Sequence, residues 1–294
     1  MALKQTTAGD RFLLTVNEVV LIVLSVVMLY PLVNTAAISF SSGVAAESGR
    51  VTIWPIDFQL AGWAYVVGNS SLHRSFLNSV YVTAVGTLAS LAFTALFAYP
   101  LSKSYFRLRR ILSLLVVFTM IFRYPLIPYF LALRSYGLMN NLNVLIYAHL
   151  LTAYNLIIMR TFFQNLPTDL EESAVIDGAN HLQILTRIFV PLSKPVFATL
   201  GLFFAVTYWN LFLHPMLFLN ESKLLPIQVR LRQFIAMSAS MERDSATGPA
   251  SSADLNRRTI EAAVVMFGTL PILMVYPFLQ KYFVKGALLG SLKG

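Results

Sequence analysis

The sequence contains no cysteine, and charged residues make up only 12% of its 294 positions. Disulfide bonds and cysteine-ligated metal sites are therefore excluded. A soluble domain carries about twice this share of charge. Here 57% of the residues are hydrophobic and the mean hydropathy is +0.68. A chain this apolar requires lipid as its solvent.

The sequence also lacks the motifs of common catalytic and nucleotide-binding sites. It has no H-E-x-x-H pair, no paired carboxylates inside an apolar run and no G-x-x-x-x-G-K-[ST] phosphate loop. We therefore expect no catalytic residue, no metal site and no cofactor in this chain. The net charge is +9, but no RNA module or DNA-reading motif accompanies it, so we expect no nucleic-acid partner. In a membrane protein such a charge indicates topology and contact with anionic lipid.

Long apolar runs dominate the chain. Six of them reach the length of about 20 residues that a helix needs to cross a bilayer. We predict an all-α fold with six transmembrane helices, in which residues 1–294 form a single membrane domain. The first run is too long for a signal-peptide core and is expected to remain as an anchor. The predicted spans are 18–40, 76–101, 111–133, 142–163, 195–219 and 260–284.

Lysine and arginine residues predict the orientation of these spans, since they are enriched in short cytoplasmic segments. Under the six-span arrangement most of them fall on the side that carries both termini, which we therefore predict to be cytoplasmic. Arg134 stands alone in the short loop on the other side. The two longer loops on that other, periplasmic side are predicted at about 41–75 and 220–259.

The most polar long segment, residues 167–191, lies between two apolar runs. Thr168 can cap a helix, Glu171 follows three residues later, and further acids crowd the first turn, where the helix dipole favours negative charge. Gly178 interrupts this helix. A second amphipathic helix is predicted to follow it and to end at Pro191. We predict two short helices that meet at a glycine outside the membrane.

This segment resembles the EAA loop of the permeases of binding-protein-dependent ABC importers. That family's pattern is E-A-A, three residues, G, nine residues and I-x-L-P. The sequence has Glu172-Ser173-Ala174, Gly178 and Ile188-Phe189-Val190-Pro191 at the same spacing, with Ser173 and Val190 as the departures. An ordinary helix hairpin between two spans is the alternative interpretation.

In that family the loop forms coupling helices that dock on an ATP-binding subunit. The resemblance therefore implies that the acids pair with basic groups of that subunit. The coupling residues that it implies are Glu171, Glu172, Ala174, Asp177, Gly178, Ile188 and Pro191.

Shorter motifs along the chain resemble the carbohydrate-uptake branch of the same family. They are Tyr30-Pro31, Asn78-Ser79, Tyr99-Pro100-Leu101-Ser102, Ile127-Pro128-Tyr129, Trp209-Asn210, and a segment with Pro226, Gln228 and Arg230 that is similar to permeases for complex oligosaccharides. The resemblance implies a type I importer permease in a bacterial inner membrane. Its implied partners are a second homologous permease, two copies of an ATP-binding subunit that hold ATP and Mg, and a periplasmic solute-binding protein.

Two features of the implied importer stay open. Within the loop 220–259, the part from Met237 to Asn256 is rich in Ser, Ala, Gly and Asp and is predicted to be flexible. It is either a solvated linker or a contact with the solute-binding protein. Polar residues inside the spans either form hydrogen bonds between helices or line a sugar path. These are Thr207, Asn210 and His214 on one predicted helical face, His149, Thr152 and Asn155 on another, and Tyr129.

Arg123 lies in the middle of the third predicted span, close to Pro125 and Pro128. On insertion scales an arginine at the centre of a membrane helix costs roughly 2.5–3.5 kcal/mol, so it must face water or a partner. Arg123 either pairs with backbone carbonyls freed by the prolines or with the partner permease, or it binds an acidic substrate.

The basic balance, Arg123 and the segment from Pro226 to Arg230 favour an acidic oligosaccharide as cargo. The chain resembles the second permease subunit of a bacterial alginate importer. A neutral sugar or another small solute is the alternative cargo. An ion-coupled secondary transporter is a more distant alternative, because it would usually place Asp or Glu inside a span. An intramembrane enzyme would need a nucleophile or a metal constellation that the sequence lacks.

Overall fold

The computed structural model describes residues 8–122, 125–244 and 257–291, and all regular structure in these ranges is helical. A π-helical stretch, Leu185–Phe189, joins α10 to α11, and a 3-10 turn, Ser222–Leu224, precedes α14. The α-helices are α1 (Ala8–Ser39), α2 (Gly43–Glu47), α3 (Ala61–Gly68), α4 (Ser70–Ser102), α5 (Arg109–Ile121), α6 (Leu126–Ser135), α7 (Asn143–Tyr147), α8 (Ala153–Gln164), α9 (Asp169–Ile176), α10 (His181–Ile184), α11 (Val190–Leu192), α12 (Lys194–Trp209), α13 (Leu213–Phe218), α14 (Ile227–Asp244) and α15 (Arg257–Ser291).

Three helical segments are each long and apolar enough to cross a membrane. They are residues 11–39 of α1, the whole of α4, and residues 257–275 of α15. Two bent pairs, α5 with α6 and α10–α11 with α12, raise the number of candidate crossings to five. The predicted all-helical class is therefore confirmed, whereas the count of six spans stays a prediction.

The fourth predicted span is divided into two helices, α7 and α8, with a break between them. Two backbone carbonyls beside this break accept hydrogen bonds from side-chain hydroxyls. The hydroxyl of Tyr208 donates to the carbonyl of Ile146 at 3.2 Å, and that of Ser90 donates to the carbonyl of His149 at 3.5 Å. Irregular backbone is tolerated at membrane depth only where protein or water satisfies its polar groups, and here hydroxyls of α4 and α12 do so.

Tyr208 reaches this break because its ring packs beside a glycine of α4, Gly86. The side chain of Tyr208 is only 2% exposed. A Cβ atom at Gly86 would lie 2.7 Å from the Tyr208 ring, closer than real Cβ contacts. The approach of α12 to α4 at this level therefore requires the absence of a side chain.

We predict that Gly86→Ala destabilises the protein by about 1–3 kcal/mol, the usual cost of overpacking. Gly201→Ala on α12 is the matched control, because its Cβ would meet Leu91 at an ordinary 3.4 Å. Thermal unfolding of the detergent-purified importer should show a lower midpoint for Gly86→Ala than for Gly201→Ala. Equal midpoints would show that the glycine does not set this contact.

The predicted periplasmic loops contain more helix than expected. The segment 41–75 holds α2, α3 and the first turns of α4. In the segment 220–259, α14 extends to Asp244, so the start of the stretch that was predicted to be flexible is helical. Residues 245–256 of that stretch lie outside the described residues.

Contacts between residues divide the chain into two compact units. One combines Met1–Ser70 with Gln233–Thr269, and the other combines Ser71–Arg232 with Leu270–Gly294. In the first unit, a Cβ atom built at Gly62 would lie 2.8 Å from the carbonyl oxygen of Thr259. α3 and α15 are therefore also in close contact. The second unit contains the coupling-loop residues described below. The single domain over 1–294 stays a prediction.

Candidate functional site

Residues 167–191 form two short helices that are separated by a turn, as the sequence predicts. The first helix is α9, and α10 begins at His181. Gly178 lies between them with a φ of +81°, in the left-handed region that favours glycine. No neighbouring atom lies within 4 Å of a Cβ built there, so the backbone conformation, and not crowding, is the reason for this glycine.

The helix cap lies at a different place from the one that we predicted. Thr168 has helical dihedral angles and makes no capping hydrogen bond through its side chain. A reciprocal capping box instead starts α10. The side chain of Asn180 accepts from the backbone N–H of Gln183 at 2.9 Å, and the side chain of Gln183 accepts from the N–H of Asn180 at 2.9 Å.

Pro191 also differs from the prediction, because it does not end the second helix. It lies in α11, in the first turn after the π-helical stretch, where a missing backbone N–H is tolerated. The chain then bends by 86° at the break between Leu192 and Lys194 and continues as α12.

Glu171 has its ion-pair partner within this chain, and its contact with another subunit stays a prediction. Its carboxylate forms an ion pair with Lys103, and the two side chains are 13% and 9% exposed. The same carboxylate accepts hydrogen bonds from the hydroxyls of Tyr99 at 3.1 Å and Tyr105 at 3.2 Å. The Lys103 ammonium lies 3.9 Å from the ring centroid of Phe189. This coupling-loop network therefore ties α9 to the end of α4 and to the π-helical stretch.

Burial controls the electrostatics of the coupling-loop network. It lowers the pKa of Lys103, and the adjacent Glu171 carboxylate opposes this shift because it stabilises the ammonium. Burial raises the pKa of Tyr105, and the Glu171 charge raises it further, so Tyr105 remains a neutral hydrogen-bond donor. Lys103 thus keeps its charge because the Glu171 carboxylate is beside it, since a buried charge without a counterion is costly.

We predict that Lys103→Met or Glu171→Gln alone destabilises the protein by about 3 kcal/mol, because each leaves a buried group without its partner. The double variant should recover part of this loss. Glu221→Gln is the control. It removes the ion pair between Glu221 and Lys223, whose side chains are 45% and 63% exposed. This loss should cost less than about 1 kcal/mol.

Denaturant titration of the purified importer gives the four free energies of unfolding for this double-mutant cycle. If the losses of stability caused by Lys103→Met and Glu171→Gln simply add, with no coupling energy, the ion pair does not hold α9 in place.

The remaining predicted coupling residues divide into an inner and an outer set. Ala174 is 8% exposed and packs in the core beneath α9, and Ile188 is half-buried. Glu172, Asp177 and Pro191 are exposed. A cavity of about 790 Å³ opens beside α9, with Glu172 and Lys103 among its lining residues. The outer set is thus the part of the loop that another subunit can reach.

We predict that Gly178→Ala strains the turn by roughly 1–2 kcal/mol, the cost of left-handed backbone with a Cβ, and lowers the ATPase stimulation that the importer shows with substrate. Gly137→Ala is the matched control, because Gly137 has a φ of +70° and equally open surroundings at the end of α6. Both variants should lose similar stability, and only Gly178→Ala should lose coupling in reconstituted vesicles. Equal stimulation in the two variants would contradict a role for this turn.

The predicted substrate-path residues do not form one helical face. α12 ends at Trp209, so His214 lies on the separate helix α13. The Thr207 hydroxyl donates to the carbonyl of Phe203 at 2.7 Å, within its own helix. The Asn155 side chain, in α8, is buried.

His214 lies in a cluster of aromatic and imidazole rings. Its ring makes a T-shaped contact with Tyr129, with centroids 5.8 Å apart, and a closer one with His149 at 4.5 Å. The sequence does not predict this contact, because His149 and His214 are far apart along the chain. Among the described residues no group of three His, Cys, Asp or Glu side chains could hold a metal. Arg123 lies outside the described residues.

The segment from Pro226 to Arg230 packs against the start of α4. The side chain of Asn78 donates to the carbonyl of Lys223 at 2.9 Å, and the Ser79 hydroxyl accepts from the N–H of Ile227 at 2.8 Å. Gln228 reaches Asn210, with 3.5 Å between the side-chain amide nitrogen and oxygen. Two of the short motifs found in the sequence therefore contact each other, and Asn210 lies beside them.

The motifs at the two ends of α4 thus contact other parts of the chain. Comparison with known proteins agrees with the family resemblance that these motifs indicate. Residues 1–288 match the family model described as the inner membrane component of binding-protein-dependent transport systems. The chain belongs to this family. This permease is therefore a transport subunit and not an enzyme.

Two relatives from Bacillus subtilis (strain 168) cover nearly the whole permease. The polygalacturonan/rhamnogalacturonan transport system permease protein YtcP is 42% identical over 274 residues, which are 93% of this chain and 96% of the relative. Protein LplC is 39% identical over 268 residues, which are 91% and 90% of the two chains.

A solved structure is similar over the same length. It is a chain of a bacterial ABC transporter that is involved in the import of the acidic polysaccharide alginate. The two chains are 32% identical, with a TM-score of 0.85, and the match covers 96% of this permease and 100% of that chain. The predicted importer permease fold is thereby confirmed.

Proposed function

We propose that this permease is a transmembrane subunit of an ATP-driven importer that carries an acidic oligosaccharide from the periplasm to the cytoplasm by alternating access. It acts with a second homologous permease, two copies of an ATP-binding subunit and a periplasmic solute-binding protein. The ATP-binding subunits hold ATP and Mg. This chain supplies the path and the coupling loop.

The coupling-loop network is the observation that supports this function best. A subunit that moves α9 pulls on Glu171, and the buried ion pair passes that displacement to Lys103 at the end of α4. Since α4 is one of the helices long enough to cross the membrane, a movement outside the bilayer becomes a movement of a span. The exposed residues Glu172 and Asp177 would then form the contact with the ATP-binding subunit.

The charge of the cargo is supported by similarity and by composition. The permease of known structure belongs to an importer of the acidic polysaccharide alginate, and YtcP is named for polygalacturonan and rhamnogalacturonan. The net charge of +9 and the predicted position of Arg123 agree with an anionic cargo. A neutral sugar remains the alternative, and the uptake measurement below separates the two.

We predict from the lysine and arginine pattern that both termini are cytoplasmic and that the segment around Ser245 is periplasmic. A reporter that is active only in the cytoplasm should therefore work when it is fused after Gly294 and fail when it is inserted at Ser245. The opposite pattern, or activity at both positions, would overturn the six-span arrangement.

We predict that Arg123→Ala lowers uptake of an acidic oligosaccharide more than uptake of a neutral analogue, because the guanidinium offers a bidentate partner to a carboxylate. Arg134→Ala is the control, because it removes one exposed arginine at the end of α6 and should leave both uptake rates unchanged. Basal ATPase activity and assembly of the Arg123→Ala importer should remain normal.

Two outcomes would contradict this role of Arg123. If acidic and neutral uptake fall equally, Arg123 only shapes the path. If the variant fails to assemble, its pairing is structural.

A further inference from the structure

A groove at the first turns of α5 carries a concentration of positive charge. It encloses about 610 Å³, and its charged lining residues are Arg107, Arg109, Arg110 and Arg160. No aspartate or glutamate is among the residues that line it. The groove therefore contains four cations and no carboxylate of its own.

Two of these cations meet at one neutral side chain. With its amide oriented to satisfy both neighbours, the oxygen of Gln164 accepts from Arg109 at 2.7 Å and from Arg160 at 3.3 Å. The Nε of Arg160 also donates to the carbonyl of Leu101 at 3.1 Å, which fixes its guanidinium at the groove. Like charges placed side by side are unfavourable unless an anion joins them. The arrangement is thus suited to a bound anion.

A buried hydroxyl adds a second, independent feature. Ser113 is one of the lining residues of the groove, and its buried Oγ has no hydrogen-bond partner within the described part of the chain. Serine inside a helix can bond to the carbonyl one turn earlier, and a buried polar group that is left unpaired costs roughly 1–3 kcal/mol. Ser113 follows Arg109 by one helical turn, so both residues line the same part of the groove.

The groove is apolar where it follows α5 away from the arginines. Leu114 and Val117 line this part, and their side chains are 62% and 42% exposed. α5 belongs to a bent helix pair that is long and apolar enough to cross a membrane. A cationic end that leads to an exposed apolar face matches a molecule with an anionic head and a hydrocarbon tail.

We propose that this groove binds one anionic phospholipid. Its phosphodiester contacts Arg109, Arg110 and Arg160, the Ser113 hydroxyl donates to a phosphate oxygen, and an acyl chain lies along Leu114 and Val117. Arginine forks match the geometry of phosphate oxygens, and basic pockets at the cytoplasmic ends of membrane helices bind anionic headgroups. Lipid bound there would hold the connection between α4 and α5 close to the coupling loop.

The test measures how many phosphatidylglycerol molecules the intact importer retains. The importer is reconstituted in nanodiscs of phosphatidylcholine with increasing phosphatidylglycerol and is analysed by native mass spectrometry after release. Each arginine near an anionic membrane contributes about 1 kcal/mol, or roughly fivefold in affinity. The Arg109→Gln, Arg110→Gln double variant should therefore weaken retention of one phosphatidylglycerol by about 30-fold. Ser113→Ala should weaken it less.

The double variant Arg50→Gln, Arg134→Gln is the matched control. It removes the same charge from two exposed positions that are not among the lining residues of the groove and should retain phosphatidylglycerol normally. Equal retention in both double variants would overturn the proposal.

Two further outcomes would contradict a lipid site. If inorganic phosphate displaces the bound lipid at equal concentration, the groove is a site for free phosphate. If the Arg109→Gln, Arg110→Gln variant retains lipid but loses its ATP-binding subunits, the arginines face an acidic protein surface.

Discussion

The ion pair between Lys103 and Glu171 is the interaction on which the position of α9 depends. It joins a residue just after the long helix α4 to the first short helix of the coupling loop, and aromatic rings and two tyrosine hydroxyls enclose it. An exposed ion pair would contribute little rigidity, because water screens it and long side chains lose entropy when they are fixed. Its burial is what allows it to hold two helices in one arrangement.

A second constraint acts inside the apolar part of the chain. Tyr208 can satisfy the broken backbone between α7 and α8 only because Gly86 leaves room for its ring. Helix breaks in apolar surroundings require such partners, since no water is present to take their place. The break between α7 and α8 is therefore stabilised by the hydroxyls of Ser90 and Tyr208.

The sequence predicts the helical class and the helix–turn–helix of residues 167–191 well, because both depend on local patterns. Apolar runs identify α1 and α4, and the spacing around Gly178 predicts a turn that has a positive φ in the structure. The sequence predicts side-chain partners poorly. Glu171 has the spacing of a capping residue, yet it pairs with Lys103, 68 positions earlier in the chain. The contact between His149 and His214 is missed for the same reason.

If the ion pair transmits movement during transport, α9 and α4 must move together. The absence of native cysteine allows spin labels to be placed at Ile176→Cys on α9 and Leu96→Cys on α4, both of which are exposed. A rigid connection through the ion pair predicts the same distance distribution between these labels in the nucleotide-free and the ATP-bound importer. It predicts a broader distribution after Glu171→Gln. A distance that changes with nucleotide in the otherwise unaltered importer would contradict it.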